Sequence, residues 1–400
     1  MDSRDALPLQ SVTVTEPMEP SKYWDREVTA PVTPPAHSWT AHLEVRHYIN
    51  RSIGGGNGTW PLDWFQGRYP GRVFERALSI GCGSGALERD LVRRGIVRSI
   101  EAFDASPASI ELARDLAAKE SLGDRIDYSI ADFNVAVLKP AAHDLVCFHQ
   151  SLHHVEALEH LLREVRRSLK PGGILYLDEF VGPSRTYWNE VTIRWYSAIY
   201  RLFPRSLRYF EEFAMPVQME DPSEAIRPSE ILPLLRIGFS IEEFRGYGGN
   251  VLAMLFPDLL VEKLSDAQVH AMIAAEVAMI AAGAAPYHAV IVARPKSGFG
   301  AAVADIRYAV ARRLAPVVRP VGAFVGSLRP SVRTHGTPEA AMLAAERALI
   351  SAEAAGFEKV AIDPRARAVG SWMPHLRHVI KSRFPGLARR LRRLLGRHRR

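Results

Sequence analysis

Three glycines at alternate positions, Gly81, Gly83 and Gly85, follow an apolar strand-like run over 76–80 and precede a helix-like segment over 86–94. Glycine accepts open φ values and lets a ligand lie directly on the main chain. The helix start behind it adds free N–H groups and a partial positive charge. Gly81, Cys82, Gly83 and Gly85 are therefore candidate residues of a nucleotide-cofactor loop. Gly81-x-Gly83-x-x-Ala86 also satisfies the relaxed dinucleotide fingerprint, so the loop does not name the cofactor. Two acids sit where such a ligand needs partners. Asp104, followed by Ala105, ends the strand-like segment 99–104, about twenty residues past the glycines, where a carboxylate accepts ribose hydroxyls. Asp132 ends the segment 126–132, where a carboxylate accepts the exocyclic amine of an adenine. Phe133 beside it offers a face for the ring.

A second set of residues suits proton transfer. His149 ends the apolar segment 144–149, and His153 and His154 follow closely. Histidine titrates near neutral pH, and a positioned general base contributes typically ~10²–10⁴-fold. Glu179, near the end of the segment 174–180, is a further candidate base; its structural alternative is a hydrogen bond holding the 182–185 loop. One histidine of the pair has an alternative as well, capping the next helix or bonding a backbone carbonyl. Asp221, Glu224 and Arg227 lie in a loop-like stretch, where they either grip a polar substrate or form a surface salt bridge. Asp178 and Glu179 are adjacent on a strand and point to opposite faces, so no metal-holding carboxylate cluster is expected.

The elements that must position these residues alternate in kind. Strands at 76–80, 99–104, 126–132, 144–149 and 174–180 are separated by helices at 86–94, 107–120 and 158–169. Ser106 is the expected cap of the second helix, with Pro107 in its first turn. Leu158, Leu161, Leu162, Val165 and Leu169 share one face of the third, which Lys170-Pro171-Gly172-Gly173 should stop. This rhythm predicts an α/β fold, a parallel sheet with helices on both faces, which binds ligands at the carboxyl ends of its strands.

Gly81-Cys82-Gly83-Ser84-Gly85, Asp104, Asp132-Phe133-Asn134, Ser151-Leu152-His153-His154 and Leu169-Lys170-Pro171-Gly172-Gly173 together resemble the class I S-adenosylmethionine-dependent methyltransferases over about 21–295. The stretches 179–185, 221–227 and 246–249 resemble more narrowly a bacterial branch associated with polysaccharide or secondary-metabolite gene clusters. The resemblance implies a Rossmann-like seven-stranded sheet, S-adenosyl-L-methionine as cofactor, and methyl transfer to a small-molecule or glycan-linked acceptor at oxygen. Where the family often has an acid two positions before the first glycine, near the cofactor's amino group, this chain has Ser79. Other acceptors, such as backbone carbonyls, are then implied. A nicotinamide enzyme would account for Asp104 but not for Asp132, the histidine pair or the Lys-Pro-Gly-Gly turn. A non-catalytic scaffold would need neither the acids nor the histidines. Base-modifying methyltransferases show Asn/Asp-Pro-Pro-aromatic or Pro-Cys signatures after the fourth strand, and this chain has His149-Gln150-Ser151-Leu152. Nucleic acid is therefore not an expected partner.

Composition sets the remaining bounds. The chain has 400 residues, 47% of them hydrophobic, and two cysteines, as expected of a globular protein in a reducing cytoplasm. The expected layout is a disordered 1–20, a methyltransferase domain over 21–298 with aromatic cap elements at 21–70 and 182–228, a helical appendage over 299–382, and a basic tail over 383–400. The net charge is +7. The tail holds eight arginines and no acids, so the body is close to neutral. Leu387, Leu391, Leu394 and Leu395 recur there at helical spacing among arginines, the pattern of an interfacial segment. Peripheral contact with an anionic membrane, on its inner face, is one expectation for 383–400; a solubilising tail, or one folded back on the body, is the other.

Overall fold

The computed structural model describes residues 19–29, 38–185, 188, 190–214, 221–326 and 342–343. The chain divides into two compact units, Met1–Val360 and Ala361–Arg400, and every described residue belongs to the first. Most of 1–20, most of the expected appendage beyond 326, and the tail 383–400 lie outside the described residues. In chain order the elements are α1 (Glu19–Thr29), α2 (Leu43–Gly54), α3 (Pro61–Arg68), β1 (Phe74–Ile80), α4 (Ala86–Arg93), β2 (Val97–Asp104), α5 (Pro107–Lys119), β3 (Ile126–Ile130), β4 (His143–His149), α6 (Leu158–Ser168) and β5 (Leu169–Phe180). After these come α7 (Glu190–Tyr200), α8 (Pro228–Gly238), β6 (Phe239–Gly248), α9 (Leu252–Leu255), α10 (Asp266–Ala281), β7 (His288–Pro295) and α11 (Gly298–Gly326).

The seven strands form one sheet in the order β3-β2-β1-β4-β5-β7-β6. The first five are parallel, as their alternation with helices requires. β7 runs antiparallel to both β5 and β6. The reason is topological. β6 ends at the same edge as β5, the segment 249–287 stays at that edge, and β7 must run back down between them. Val181 N donates to Tyr287 O at 2.7 Å where the two strands meet.

Side chains alternate between two apolar layers, as a strand's period of two demands. Ala77, Leu145, Cys147 and Tyr176 face one layer, with α2, α3 and α10. Leu78, Val146, Phe148 and Leu175 face the other, against α6 and α8. Leu158, Leu161, Leu162 and Val165 of α6 are fully buried there. Lys170-Pro171-Gly172-Gly173 is not a free turn. It forms the irregular start of β5, where Leu169 pairs with His143 before regular pairing resumes at Ile174 opposite Leu145. Ser106 caps α5 as expected, its hydroxyl accepting from Ser109 N at 3.0 Å.

The aromatic residues of the insertion after β5 mainly pack. Tyr196 and Tyr200 of α7 are fully buried. The Tyr196 hydroxyl donates to Asn250 O, and that of Tyr200 donates to Asp258 O at 2.8 Å. The first turns of α11 are fastened to the body: Ala304 and Tyr308 are buried against α6 and α8, Tyr308 donates to Leu234 O at 3.1 Å, and Asp305 pairs with Arg166. Among the described residues no helix is long and apolar enough to cross a membrane.

Glu276 explains why an acid interrupts the apolar run of α10. Its carboxylate, fully buried, accepts from Asn250 N at 2.9 Å, Val251 N at 2.7 Å and Leu252 N at 3.1 Å. These groups open α9 and have no intrahelical acceptor. Glu276→Ala would strand three buried donors, each worth ~1–3 kcal/mol. We expect a loss of about 3 kcal/mol, allowing for relaxation, in denaturant unfolding. A loss below about 1 kcal/mol would mean that water reaches these donors.

Candidate functional site

The carboxyl ends of β1, β2 and β4, with Phe133 from the segment after β3, surround a cavity of about 300 Å³. Its first wall is the glycine loop. Gly81, Gly83 and Gly85 all have positive φ, 70°, 52° and 76°, yet they serve different purposes. A Cβ on Gly81 would sit 2.5 Å from that of Ser151, where β1 and β4 converge, and one on Gly85 would collide with the Tyr128 hydroxyl of β3. A Cβ on Gly83 would meet nothing within 4 Å, because that position opens onto the cavity. The loop thus holds bare main chain against an open space, the setting a nucleoside ligand needs. Gly81, Cys82 and Gly83 line the cavity, whereas Gly85 is spent on packing α4 against β3. Burial pushes the Cys82 thiol well above its ordinary value, which leaves it inert.

Asp104 and Ala105 line the second wall. Asp104 Oδ2 accepts from Gly83 N and Oδ1 from Ser106 N, both at 2.9 Å. The carboxylate therefore ties the glycine loop to the start of α5 and still has lone pairs for a ribose. Burial raises its pKa, and the two N–H groups oppose the rise. Phe133 lines the cavity as expected. Asp132 does not. It is buried, and its Oδ1 accepts from Asn134 N at 2.8 Å and Asn134 Nδ2 at 3.1 Å. Its Oδ1 thereby caps the turn that follows β3.

The histidines separate into three roles. His149 ends β4, lines the cavity and is half exposed, its Nε2 3.8 Å from Asp178 Oδ2. His153 is buried outside the lining, its Nδ1 bound to Glu179 Oε1. His154 lines the cavity, edge-on to Trp24 of α1 with ring centroids 5.4 Å apart. Trp24 is held there because Asp25 accepts from Ser106 Oγ at 2.6 Å and Ala108 N at 3.0 Å, which fastens α1 to the start of α5.

Glu179 is not positioned as a base. It is fully buried and accepts from Ser151 N at 3.0 Å, Leu152 N at 2.7 Å and Phe180 N at 2.8 Å, besides His153. It holds the turn after β4, not the 182–185 loop. Arg227 is not a surface group either. It is buried in a bidentate pair with Glu159, at 2.8 and 2.6 Å, and also meets Glu230. This clamps the 221–227 segment onto α6. The clamp delivers Ser223 to the cavity and Asp221 and Glu224 to the histidine pair.

The proton arrangement follows from the donors. Ser223 Oγ gives its hydrogen to Asp221 Oδ1 at 2.6 Å and also has its own backbone N on that oxygen. Ser223 Oγ must then accept from His154 Nδ1, 3.1 Å away. This leaves Nε2 of a neutral His154 as the free acceptor, 3.9 Å from Glu224 Oε2. Burial and the neighbouring His153 charge hold His154 well below the usual histidine value. Burial also opposes charge on His153, but the Glu179 carboxylate, aided by Glu224 and Asp221, outweighs it and raises the pKa. The two neighbours thus diverge: Glu179 favours the cationic form of His153, and the neutral imidazole is favoured at His154, which faces the cavity. His153, His154 and Glu224 also bring one ligand atom each within 4.8 Å of one another. That grouping was not legible from Asp178 and Glu179, since its acid comes from a distant loop.

Sequence reasoning missed Trp24, Ser223 and Glu88 as lining residues. Glu88 had a signal: it lies three and four residues before Leu91 and Val92, on the buried stripe of α4.

Comparison with known proteins agrees with this geometry. Residues 78–177 match the family model described as a methyltransferase domain. Among curated proteins, the 27-O-demethylrifamycin SV methyltransferase of Amycolatopsis mediterranei is 34% identical over 125 residues, 30% of this chain and 43% of that protein. The ubiquinone biosynthesis O-methyltransferase of Xanthomonas euvesicatoria is 30% identical over 145 residues, 36% of this chain and 58% of that one. The chain thus spans about half the length of the curated relatives it matches.

The His153–Glu179 pair gives a signed pH dependence. The raised His153 contributes stability in full below its ordinary 6.5 and loses it as pH rises through its folded value. The lowered Glu179 contributes in full above its ordinary 4.5 and loses it as pH falls through its folded value. The destabilisation caused by Glu179→Gln, followed by thermal melting, should peak between these two ordinary values and shrink on either side. A flat difference from pH 4 to 9 would show the pair to be uncharged.

Proposed function

We propose that the protein, whose residues 78–177 match the methyltransferase-domain family, works as a class I S-adenosylmethionine-dependent methyltransferase on a hydroxyl of a small-molecule or glycan-linked acceptor. The observation that carries this reading is His154: a neutral imidazole on the cavity wall, its Nδ1 committed to Ser223 and its Nε2 free. The residues present fit the cofactor. Gly81 and Gly83 offer bare main chain, Asp104 has lone pairs left for ribose hydroxyls, and Phe133 offers an aromatic face. When bound, S-adenosylmethionine supplies a methyl group on a positively charged sulfur, activated by a neutral leaving group. The chain's own work is alignment and proton removal. Alignment is worth ~7–11 kcal/mol of barrier, and Trp24, edge-on to His154, is the flat surface on which an acceptor is held.

His154 Nε2 takes the hydroxyl proton as the oxygen becomes nucleophilic. The resulting imidazolium is stabilised through Nδ1, which lies 3.5 Å from Asp221 Oδ2. That carboxylate oxygen is buried with no hydrogen-bond partner of its own. His153 does not compete for the proton, because it already carries one for Glu179. Oxygen as the acceptor atom is also in keeping with the names of the two relatives, both O-methyltransferases. Membrane contact through 383–400 is proposed from the tail's sequence alone. It predicts that truncation at Ser382 abolishes co-sedimentation with anionic vesicles.

Radiolabelled methyl transfer to a panel of phenols, alcohols and amines tests the reading. Hydroxyl acceptors should be turned over, and His154→Asn should lower kcat by ~10²–10⁴-fold with affinity for S-adenosylhomocysteine unchanged. Turnover of amines alone would refute the assignment to oxygen. Chelation with EDTA should leave the rate intact. Its loss, with recovery on adding a divalent cation, would make His153, His154 and Glu224 a metal site instead.

A further inference from the structure

Glu88 lines the cavity and has no part in the reaction above. It stands in the first turn of α4, fully buried, and lines the cavity beside Ser79 and Gly81. Neither carboxylate oxygen has a partner at full hydrogen-bond geometry, although the Ser79 hydroxyl stands near enough to favour the charged form. The groups acting on it are the Ser79 hydroxyl at the end of β1, the His149 imidazole and the Arg89 guanidinium, the last hydrogen-bonded to Glu120 and Ser84 O instead. A buried carboxylate without a partner is heavily penalised and survives where a cation arrives to pair with it. The lining holds one other acid, Asp104, and both of its oxygens already accept backbone N–H groups. Glu88 is thus the free carboxylate of the cavity among the described residues, and it opens onto the space beside the glycine loop.

We infer that Glu88 is the counter-ion for the α-ammonium group of the cofactor's amino-acid arm, replacing the strand-end acid that this chain lacks at Ser79. The inference rests on the cofactor reading above. The geometry suits it. Ser79 leaves a hydroxyl and free volume at the end of β1, and the α4 side chain fills that side of the cavity from the opposite element. A carboxylate from a helix one turn past the glycines reaches the ground that a strand-end acid would occupy. Backbone carbonyls then need not serve as the principal acceptors.

Two ligands separate this inference from the cofactor reading. S-adenosylhomocysteine carries the ammonium-bearing arm, and 5′-methylthioadenosine has the same nucleoside without it. Calorimetry with the full chain should find Glu88→Gln binding S-adenosylhomocysteine roughly tenfold to a hundredfold more weakly than wild type, with affinity for 5′-methylthioadenosine unchanged. Ser79→Asp placed in the Glu88→Gln background should recover most of the loss. The unliganded Glu88→Gln protein should melt at the wild-type temperature or higher, because an orphan charge has been removed. Unchanged affinity for S-adenosylhomocysteine, equal loss for both ligands, or a lower melting temperature without ligand would each overturn the inference. Wild-type protein that binds neither ligand would defeat the cofactor reading itself, and this inference with it.

Discussion

A single buried carboxylate organises the working end of this protein. Glu179, near the end of β5, gathers the backbone N–H groups of Ser151 and Leu152, that of Phe180, and the ring of His153. An isolated carboxylate in that position would be strongly disfavoured; surrounded by four donors, one of them cationic, it is held in the charged state. Its effect spreads along the chain. The turn it fixes presents Ser151, whose hydroxyl donates to Ile80 O at 2.7 Å and so joins β4 to β1 just before the glycine loop. The same turn places His154 one residue beyond the anchored His153, facing the cavity.

From that anchor the electrostatics of the site follow. A histidine held as a cation suppresses the charge of its neighbour, with ring centroids only 4.2 Å apart. Two adjacent residues of identical chemistry thus acquire opposite protonation states, one structural and one available. The difference comes from what sits behind each ring, a carboxylate for His153 and a serine hydroxyl for His154. The Arg227–Glu159 clamp is the second support, since it brings the 221–227 segment over the histidines and supplies the serine. Ile226 N donates to His153 O at 3.2 Å, closing the contact between that segment and the turn after β4.

The acids of the site illustrate how position and availability differ. Asp104, Asp132, Asp178 and Glu179 all sit at or near strand ends, yet most of their hydrogen-bonding capacity is spent on the protein. Asp132 caps its own turn, Asp178 takes the Tyr247 hydroxyl at 2.6 Å, and Glu179 holds the turn after β4. The carboxylate left without a partner at full hydrogen-bond geometry, Glu88, comes from a helix instead. A strand end faces the ligand crevice in this fold, but it also faces loops whose N–H groups need acceptors, and those loops compete for the same oxygens.

Local sequence determined much of this molecule. The alternation of strands and helices over 74–180 follows from apolar periodicity, caps and glycines, each readable within a few residues. So were the bare loop at Gly81 and Gly83, the acid at Asp104 beside it, and histidines at the end of β4. These features depend on neighbours in the chain. The tertiary structure alone decided which groups remained free. The separate fates of His153 and His154 depended on Glu179, some 25 residues away, and on Ser223, about 70 residues away. Arg227 became a buried clamp because α6 presents Glu159 to it, and Glu88 became an unpaired acid because the end of β1 holds a serine. A residue's type and spacing state what it is able to bind. Its partners consume or spare that capacity, and they arrive through folding from parts of the chain that no local pattern connects.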